Sequence, residues 1–373
     1  MNKAFKYRIY PSVEQEVLIN KTFGCVRFVY NRMLANRKDI YKQFKDDKEA
    51  LKRQKYRLPA DFKKEFEWLK EVDSLALANA QLHLQTAYNN FFRDPSVGFP
   101  KFKSKHQDKK SYTTNNQGGT IRLIDPTTIR LPKLKDVRIK LHRSLPKEAA
   151  IKSATISKTP TGKYYVSVLV EYEANIKSVE PTPETVLGLD YSSPSLFVDS
   201  QAKPADYPKF YRKAEAKLKK AQRKLSKRKK GSKNREKQRL KVAKLHEKVA
   251  NQRKDFLHQL SRQIANAWTA VAIEDLNMRG MAQGLKLAKS TNDNGFGMLK
   301  TFLSYKLAEQ GKSLVVIDKW FPSSKLCRFC QTAQSELALS ARVWNCSCGA
   351  VLDRDTNAAI NIKNEGCRML GIA

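Results

Sequence analysis

FPSSKLCRFCQTAQSELALSARVWNCSCGAVLDRDTNAAINI, residues 321–362, holds four of the chain's six cysteines and then an acidic motif that opens a predicted helix. Cys327 and Cys330 make a CxxC knuckle, and Cys346 and Cys348 make a CxC pair after a spacer of fifteen residues. A closed structural zinc site takes four thiolates in a tetrahedron, so two close pairs at this separation point to a zinc ribbon. The competing reading is two disulfides or buried free thiols. Nothing marks the chain as secreted, and cytosolic thiols stay reduced. Past Cys348, Asp353 and Asp355 precede the helical run Asn357–Ile362, and either aspartate can serve as its N-cap. The two isolated cysteines, Cys25 and Cys367, read as packing residues.

Upstream of the ribbon, apolar runs repeatedly end in acids. Ser313–Asp318, SLVVID, is a strand that leads into the ribbon, after a helix over 297–310. Ala270–Asp275, AVAIED, is a short buried strand ending in two carboxylates. Val186–Leu189 is an apolar strand that delivers Asp190 before turning into a second strand, Leu196–Val198. Functional groups of a parallel sheet collect at the carboxyl ends of its strands. Asp190, Glu274 and Asp355 are therefore candidates to converge at one edge of a mixed sheet. Converging carboxylates beside phosphate-binding bases suit two Mg²⁺ ions, one activating water and one stabilising the leaving oxygen of an in-line displacement. Taken singly, each acid also reads as a cap, a turn residue or a surface charge.

The charge balance names a partner class. Lys plus Arg outnumber Asp plus Glu by 72 to 36 in 373 residues, for a formal charge of +36. Such an excess calls for a polyanion, because neutralising phosphates releases counterions. No apolar run reaches the length of a membrane span, and MNKAFKYRIYPS lacks a signal-peptide core, so the expectation is a cytoplasmic nucleic-acid-binding protein. The charge is most one-sided over 208–265, a predicted helical hairpin. There Arg223, Lys224, Lys227, Arg228, Lys229 and Lys230 precede a Gly231–Asn234 turn, and an apolar seam runs through Leu218, Leu225, Leu240, Val242, Leu245 and Val249. A second basic stretch, residues 98–112, interleaves Lys101, Lys103 and Lys105 with Phe99, Phe102 and Tyr112. It reads either as a backbone-tracking loop with stacking platforms or as a solvated loop anchored by core phenylalanines. Residues 3–10 alternate as a strand, helical periodicity runs over 13–34 and again over 59–92, and 120–172 returns to short alternating strands that read as a small barrel.

The ordered series LGLDYSSPSLFVDS, KKGSKNREK, AIEDLNMRGM, FPSSKLC and CGAVLDRDTNAAINI resembles the TnpB family over nearly the whole chain. These are OrfB-type proteins of bacterial insertion sequences, relatives of the type V CRISPR effectors. The resemblance implies an α/β multidomain fold: a wedge β-barrel (1–10 and 120–182) carrying a helical recognition insert (11–119), and a RuvC-like nuclease domain of RNase H type (183–323 and 351–373) carrying a zinc-ribbon insert (324–350). It implies a transposon-encoded, Mg²⁺-dependent DNA endonuclease. A guide RNA from the transposon end would pair with one strand of double-stranded target DNA, and the protein would read a short flanking motif. Carried over by motif, the catalytic, Mg²⁺-binding acids are Asp190, Glu274 and Asp355; preferring Asp355 to Asp353 rests on the resemblance. The Zn²⁺ ligands carry over as Cys327, Cys330, Cys346 and Cys348. Two departures stand out: the second knuckle is CxC where the family often has CxxC, and Gln331 replaces a frequent glycine. The alternatives are an RNA-guided DNA-binding regulator without cleavage, or an accessory transposase protein. Neither a membrane nor a small-molecule substrate is expected.

Overall fold

A computed structural model of the chain describes residues 1–106, 109–284, 288–338 and 341–373. Gln107 and Asp108 of the basic 98–112 stretch, and Leu339 and Ser340 of the expected ribbon, lie outside the described residues. The chain divides into two compact units, Met1–Ala174 and Asn175–Ala373. Among the described residues no helix is long and apolar enough to cross a membrane.

The first unit begins with β1 (Asn2–Tyr10) and continues through α1 (Val13–Phe44), α2 (Lys48–Arg53), α3 (Pro59–Glu65) and α4 (Ser74–Arg93). Six more strands follow: β2 (Lys110–Asn115), β3 (Arg122–Asp125), β4 (Thr128–Leu131), β5 (Lys135–Lys140), β6 (Ala150–Lys158) and β7 (Tyr164–Glu171). They form one antiparallel sheet in the order β2-β6-β7-β1-β5-β4-β3. β1 pairs with β7 and β5, so the first strand enters the sheet between elements that are remote in sequence. Its alternation buries Phe5, Tyr7 and Ile9 on one face. α1 starts at a capping box in which Ser12 and Gln15 satisfy each other's backbone N–H groups. Its stripe Ile19, Phe23, Val26, Tyr30 and Met33 shares one continuous core with α4 and the sheet. Residues 110–115, whose first three residues the sequence reads as the end of a basic loop, form the edge strand β2, which buries Tyr112 and Thr114 at period two. Neighbouring lysines obscured that short alternation. Phe99 and Phe102 are not core anchors; they stay 42% and 52% exposed beneath the Lys38 ammonium.

The second unit is built from β8 (Val186–Ser192), β9 (Leu196–Asp199), α5 (Phe210–Ser226), α6 (Lys233–Ala267), β10 (Ala270–Glu274), α7 (Met278–Gly284), α8 (Ala288–Asn294), α9 (Phe296–Ala308), β11 (Ser313–Ile317), β12 (Val343–Asn345), β13 (Val351–Asp353) and α10 (Arg354–Leu370). Its main sheet runs β11-β10-β8-β9, with β8, β10 and β11 parallel and β9 antiparallel to β8. β12 and β13 pair as a separate hairpin.

Strand periodicity sorts the central residues onto two faces. Leu187, Leu189, Val271 and Ile273 pack into a core with Leu257 and Ile264 of α6 and Leu299, Leu303 and Leu307 of α9. The alternate positions, Gly188 and Ala272, meet α10. A Cβ placed on Gly188 would lie 2.1 Å from the Ala359 carbonyl oxygen and 2.7 Å from the Lys363 nitrogen. A Cβ on Gly366 would lie 2.5 Å from that of Ala272. Helix and sheet thus approach to a distance that permits no side chain at either glycine. Continuing each strand by one period reaches Asp190 and Glu274, on the same face as α10.

We expect Gly188→Ala to destabilise the second unit by about 3 kcal/mol, since the groups in the way are helix backbone and the whole helix must shift. That corresponds to a Tm lower by about 6–12 °C for a unit of this size. A variant that melts with the wild type would show that α10 stands farther off the sheet.

Candidate functional site

Asp190 and Glu274 emerge from adjacent parallel strands. The last registered pair is Leu189 with Ile273, so the two acids follow it side by side, about 4.8 Å apart in backbone spacing. Asp355 arrives on α10. Because Ala359 lies over Gly188, the helix start four residues earlier falls near the position two residues farther along β8, where Asp190 stands. The electrostatics agree. Burial raises the pKa of Asp190 well above the usual carboxylate range, the negative charges of Glu274 and Asp355 raise it further, and Arg354 partly offsets them. Burial also raises Glu274, against which the Ser323 hydroxyl donates a hydrogen bond to Oε1. Asp355 forms an ion pair with Arg342, Nη1 to Oδ2 at 3.0 Å. Asp353 is the N-cap of α10, accepting from the Thr356 N–H at 2.8 Å, and is exposed. The two aspartates of DRD therefore have separate surroundings.

The four ribbon cysteines are reduced, and their sulfurs all lie within 4.8 Å of one another. Cys327 and Cys348 are 3.8 Å apart, and Cys330 and Cys346 are 3.4 Å apart. A tetrahedron with Zn–S bonds of about 2.3 Å has edges of about 3.8 Å, so the donor set fits zinc, and the separations exclude the disulfide reading. Among the described residues no carboxylate group gathers three donors in this way. Each knuckle is a tight turn. Gln331 N–H donates to Cys327 O and Gly349 N–H to Cys346 O, both at 2.9 Å. The residue after each pair is left-handed, with φ of 59° at Gln331 and 87° at Gly349. The glycine missing at 331 is thus a backbone requirement that glutamine meets with strain. In the CxC pair the turn closes on Ala350 and still presents Cys348.

Two buried asparagines of α10 fasten the ribbon's entry to that helix. Asn361 Nδ2 donates to Ser323 O at 2.8 Å and to Leu326 O at 2.6 Å. Asn357 Nδ2 donates to Leu326 O at 2.7 Å, and its Oδ1 accepts from Arg328 N–H at 3.1 Å. Sequence reasoning did not single out Asn357, Asn361, Ser323 or Arg342. The available signal was two asparagines four apart in a predicted helix, on the face its alanines bury; Ser323 and Arg342 carried none.

The basic hairpin is as read, with the seam buried at Leu218, Val242 and Val249. Arg223, Lys224, Lys227, Arg228, Lys229 and Lys230 are all exposed, and among the described residues none has an acidic partner. Ala216, Lys219, Lys220, Arg223, Lys224 and Lys227 line a groove of about 540 Å³. Arg235 closes the turn by donating to Leu225 O and Arg228 O, both at 2.9 Å. Lys101, Lys103 and Lys105 belong to the other unit. Lys101 and Lys105 are exposed, whereas Lys103 is half-buried, with its ammonium 4.2 Å from the Tyr30 ring centroid.

Two outcomes follow. Cys346→Ser should lose bound zinc and lower the melting temperature of the second unit, because a thiolate site contributes folding energy outright; metal analysis with a melting curve checks both. Asp190 binds its proton more tightly folded than unfolded. Its contribution to stability is therefore present below the unfolded pKa and lost as pH rises through the raised folded value. In cation-free buffer Asp190→Asn should melt higher than the wild type at pH 7 and remove that part of the pH dependence. Superimposable pH–stability curves would mean that Asp190 is neither buried nor beside the other two acids.

The chain matches three family models: "Probable transposase" (the OrfB family of IS605) over residues 167–284, "Helix-turn-helix domain" over 1–46, and "Cas12f1-like, TNB domain" over 296–362. The second description does not suit the geometry, since residues 1–46 hold β1 and the single uninterrupted helix α1. A Streptomyces pristinaespiralis protein named "Putative RNA-guided DNA endonuclease" is 39% identical over 98% of this chain and 90% of its own. InsQ of Escherichia coli K12, which carries the same description, is 29% identical over 99% of this chain and 93% of its own. Among solved structures, the protein of a Cas12f1–sgRNA–target DNA complex superposes with a TM-score of 0.62 at 12% identity, covering 98% of this chain and 99% of its own, a likeness of fold. With a relative of that identity matched along nearly its full length, the chain belongs to the IS605 OrfB (TnpB) family.

Proposed function

We propose that this chain is an RNA-guided DNA endonuclease and that Asp190, Glu274 and Asp355 are its catalytic acids. The observation that carries the reading is the shared face: two acids on adjacent parallel strands meet a third on the helix that the glycine at 188 admits. Burial and the negative charges of Glu274 and Asp355 hold the Asp190 carboxyl in its protonated form, and the hard oxygen donors of the three carboxylates suit Mg²⁺. When bound there, Mg²⁺ supplies Lewis acidity to phosphodiester hydrolysis. The chain's own part is to hold the carboxylates in place against their mutual repulsion. Arg342 holds Asp355, Ser323 holds Glu274, and Arg354 moderates the charge at Asp190. The names of the relatives and the fold shared with a guide-RNA and target-DNA complex support the same reading.

In this reading residues 1–10 and 120–182 form the wedge barrel and 11–119 the recognition insert. The RuvC-like domain spans 183–323 and 351–373 around the ribbon at 324–350. The unpaired bases of the α5–α6 hairpin, with Lys101 and Lys105, face nucleic-acid phosphates.

The deciding experiment is cleavage of a matching duplex by protein purified with its RNA. Asp190→Ala should cut at least about 100-fold more slowly, since it removes a metal ligand, and should still bind RNA and target. Equal cutting would remove Asp190 from the site. Target binding without cutting by the wild type, in any divalent cation, would favour a guided regulator. Neutralising Arg223, Lys224, Lys227 and Arg228 together should weaken RNA binding and flatten the slope of log K against log salt by about 3, at about 0.7–0.9 per lost phosphate contact. An unchanged slope would show that the hairpin does not face phosphate.

A further inference from the structure

Glu274 is held by one donor. Of the described residues only Ser323 donates to it, from Oγ to Oε1, and Ser323 is itself 5% exposed. A hydroxyl bonded to an ionised carboxylate makes a charge-assisted bond, roughly twice as strong as a neutral one. The serine cannot readily turn away. Its N–H donates to Phe321 O at 2.8 Å, and its carbonyl accepts from Asn361 at 2.8 Å. The Pro322 carbonyl accepts from the N–H groups of Lys325, at 3.0 Å, and Leu326, at 2.9 Å, which closes the chain into a turn around it. Leu326 O and Arg328 N–H, the peptide groups on either side of the zinc ligand Cys327, are the ones the α10 asparagines grip. One short segment thus touches Glu274, the helix that carries Asp355, and the first sulfur of the zinc site.

We infer that Ser323 is a positioning residue: its hydroxyl fixes one oxygen of Glu274, and so sets how that carboxylate meets a divalent cation, while the ribbon and α10 hold the serine in place. The inference rests on the proposed nuclease reading and adds a residue to it. It is distinct from a packing role. A serine that merely satisfied a buried acid would change stability and leave cation affinity alone. Groups that orient a metal ligand change affinity or activity about 10–100-fold when removed.

The test uses the full chain with its RNA and Mn²⁺ as the spin probe. Mn²⁺ held by RNA is present in every sample, so the binding lost in Asp190→Ala isolates the acid site. Ser323→Ala should weaken that component about 10-fold or more, raise the Mg²⁺ concentration for half-maximal cutting similarly, and leave KM for DNA unchanged. Ser323→Thr keeps the hydroxyl and should restore both. Zinc content and melting show whether the alanine variant is folded. If it is not, Ser323→Cys, close in volume and a poor donor, answers by the same isotherm. Mn²⁺ binding in folded Ser323→Ala equal to the wild type overturns the inference and leaves the nuclease reading standing. No difference between wild type and Asp190→Ala overturns both.

Discussion

Everything in the second unit follows from how closely α10 lies on β8 and β10. At Gly188 the strand meets the helix backbone and at Gly366 the helix meets the Ala272 methyl, with no room for a side chain at either glycine, and Ala358 and Ala359 are small residues on the same helix. Larger residues there would lift the helix by the thickness of a side chain and carry Asp355 away with it. The same contact sets direction. The helix begins beside Asp190 and runs back over the sheet, so its partially positive amino end faces the acids. The placement of Asp355 relative to the strand ends is thus a consequence of small residues in the core.

Bringing acids together in a chain of +36 charge is easier than in a neutral one, though the distant bases are screened and little of that excess reaches the site. What acts locally is specific. Arg342 pairs with Asp355, Arg354 lies close enough to Asp190 to lower its pKa, and a neutral hydroxyl serves Glu274. Burial still dominates the balance at Asp190 and Glu274. The folded chain therefore carries unfavourable energy at this corner, offset by the packing of Leu187, Leu189, Val271 and Ile273 on the other face of the same strands. Residues two apart in one strand do opposite work: one face holds the fold, the other holds the charge.

The parts legible in the sequence were those with a local signature. An apolar run ending in an acid marked Asp190 and Glu274, paired cysteines marked the ribbon, and a one-sided charge run over an apolar seam marked the hairpin. What escaped depends on partners remote in the chain. Ser323 is an ordinary serine until the fold sets it against Glu274, and Arg342 is one base among many until β12 brings it to Asp355. β2 was missed for another reason: a strand of six residues among lysines has too few periods to be told from a basic loop. The order of the seven-stranded sheet was likewise beyond reach, because β1 inserts between β7 and β5, and alternation names a strand without naming its neighbours.

The zinc ribbon occupies the excursion between β11 and α10, and chain entropy alone does not account for it. Closing a loop costs only about 0.6 kcal/mol more for each doubling of its length, so an unstructured connection from Asp318 to Asp353 would be thermodynamically tolerable. Such a connection could not aim side chains. Among the described residues, both groups that touch the acids from outside the sheet and α10, Ser323 and Arg342, come from this excursion, one before the first knuckle and one just before the second. Free chain would leave each of them many orientations. Four thiolates within 4.8 Å, with Asn357 and Asn361 gripping the peptides around Cys327, restrict that freedom. The ribbon is thus better understood as the part that brings Ser323 to Glu274 and Arg342 to Asp355 than as a module attached beside the sheet.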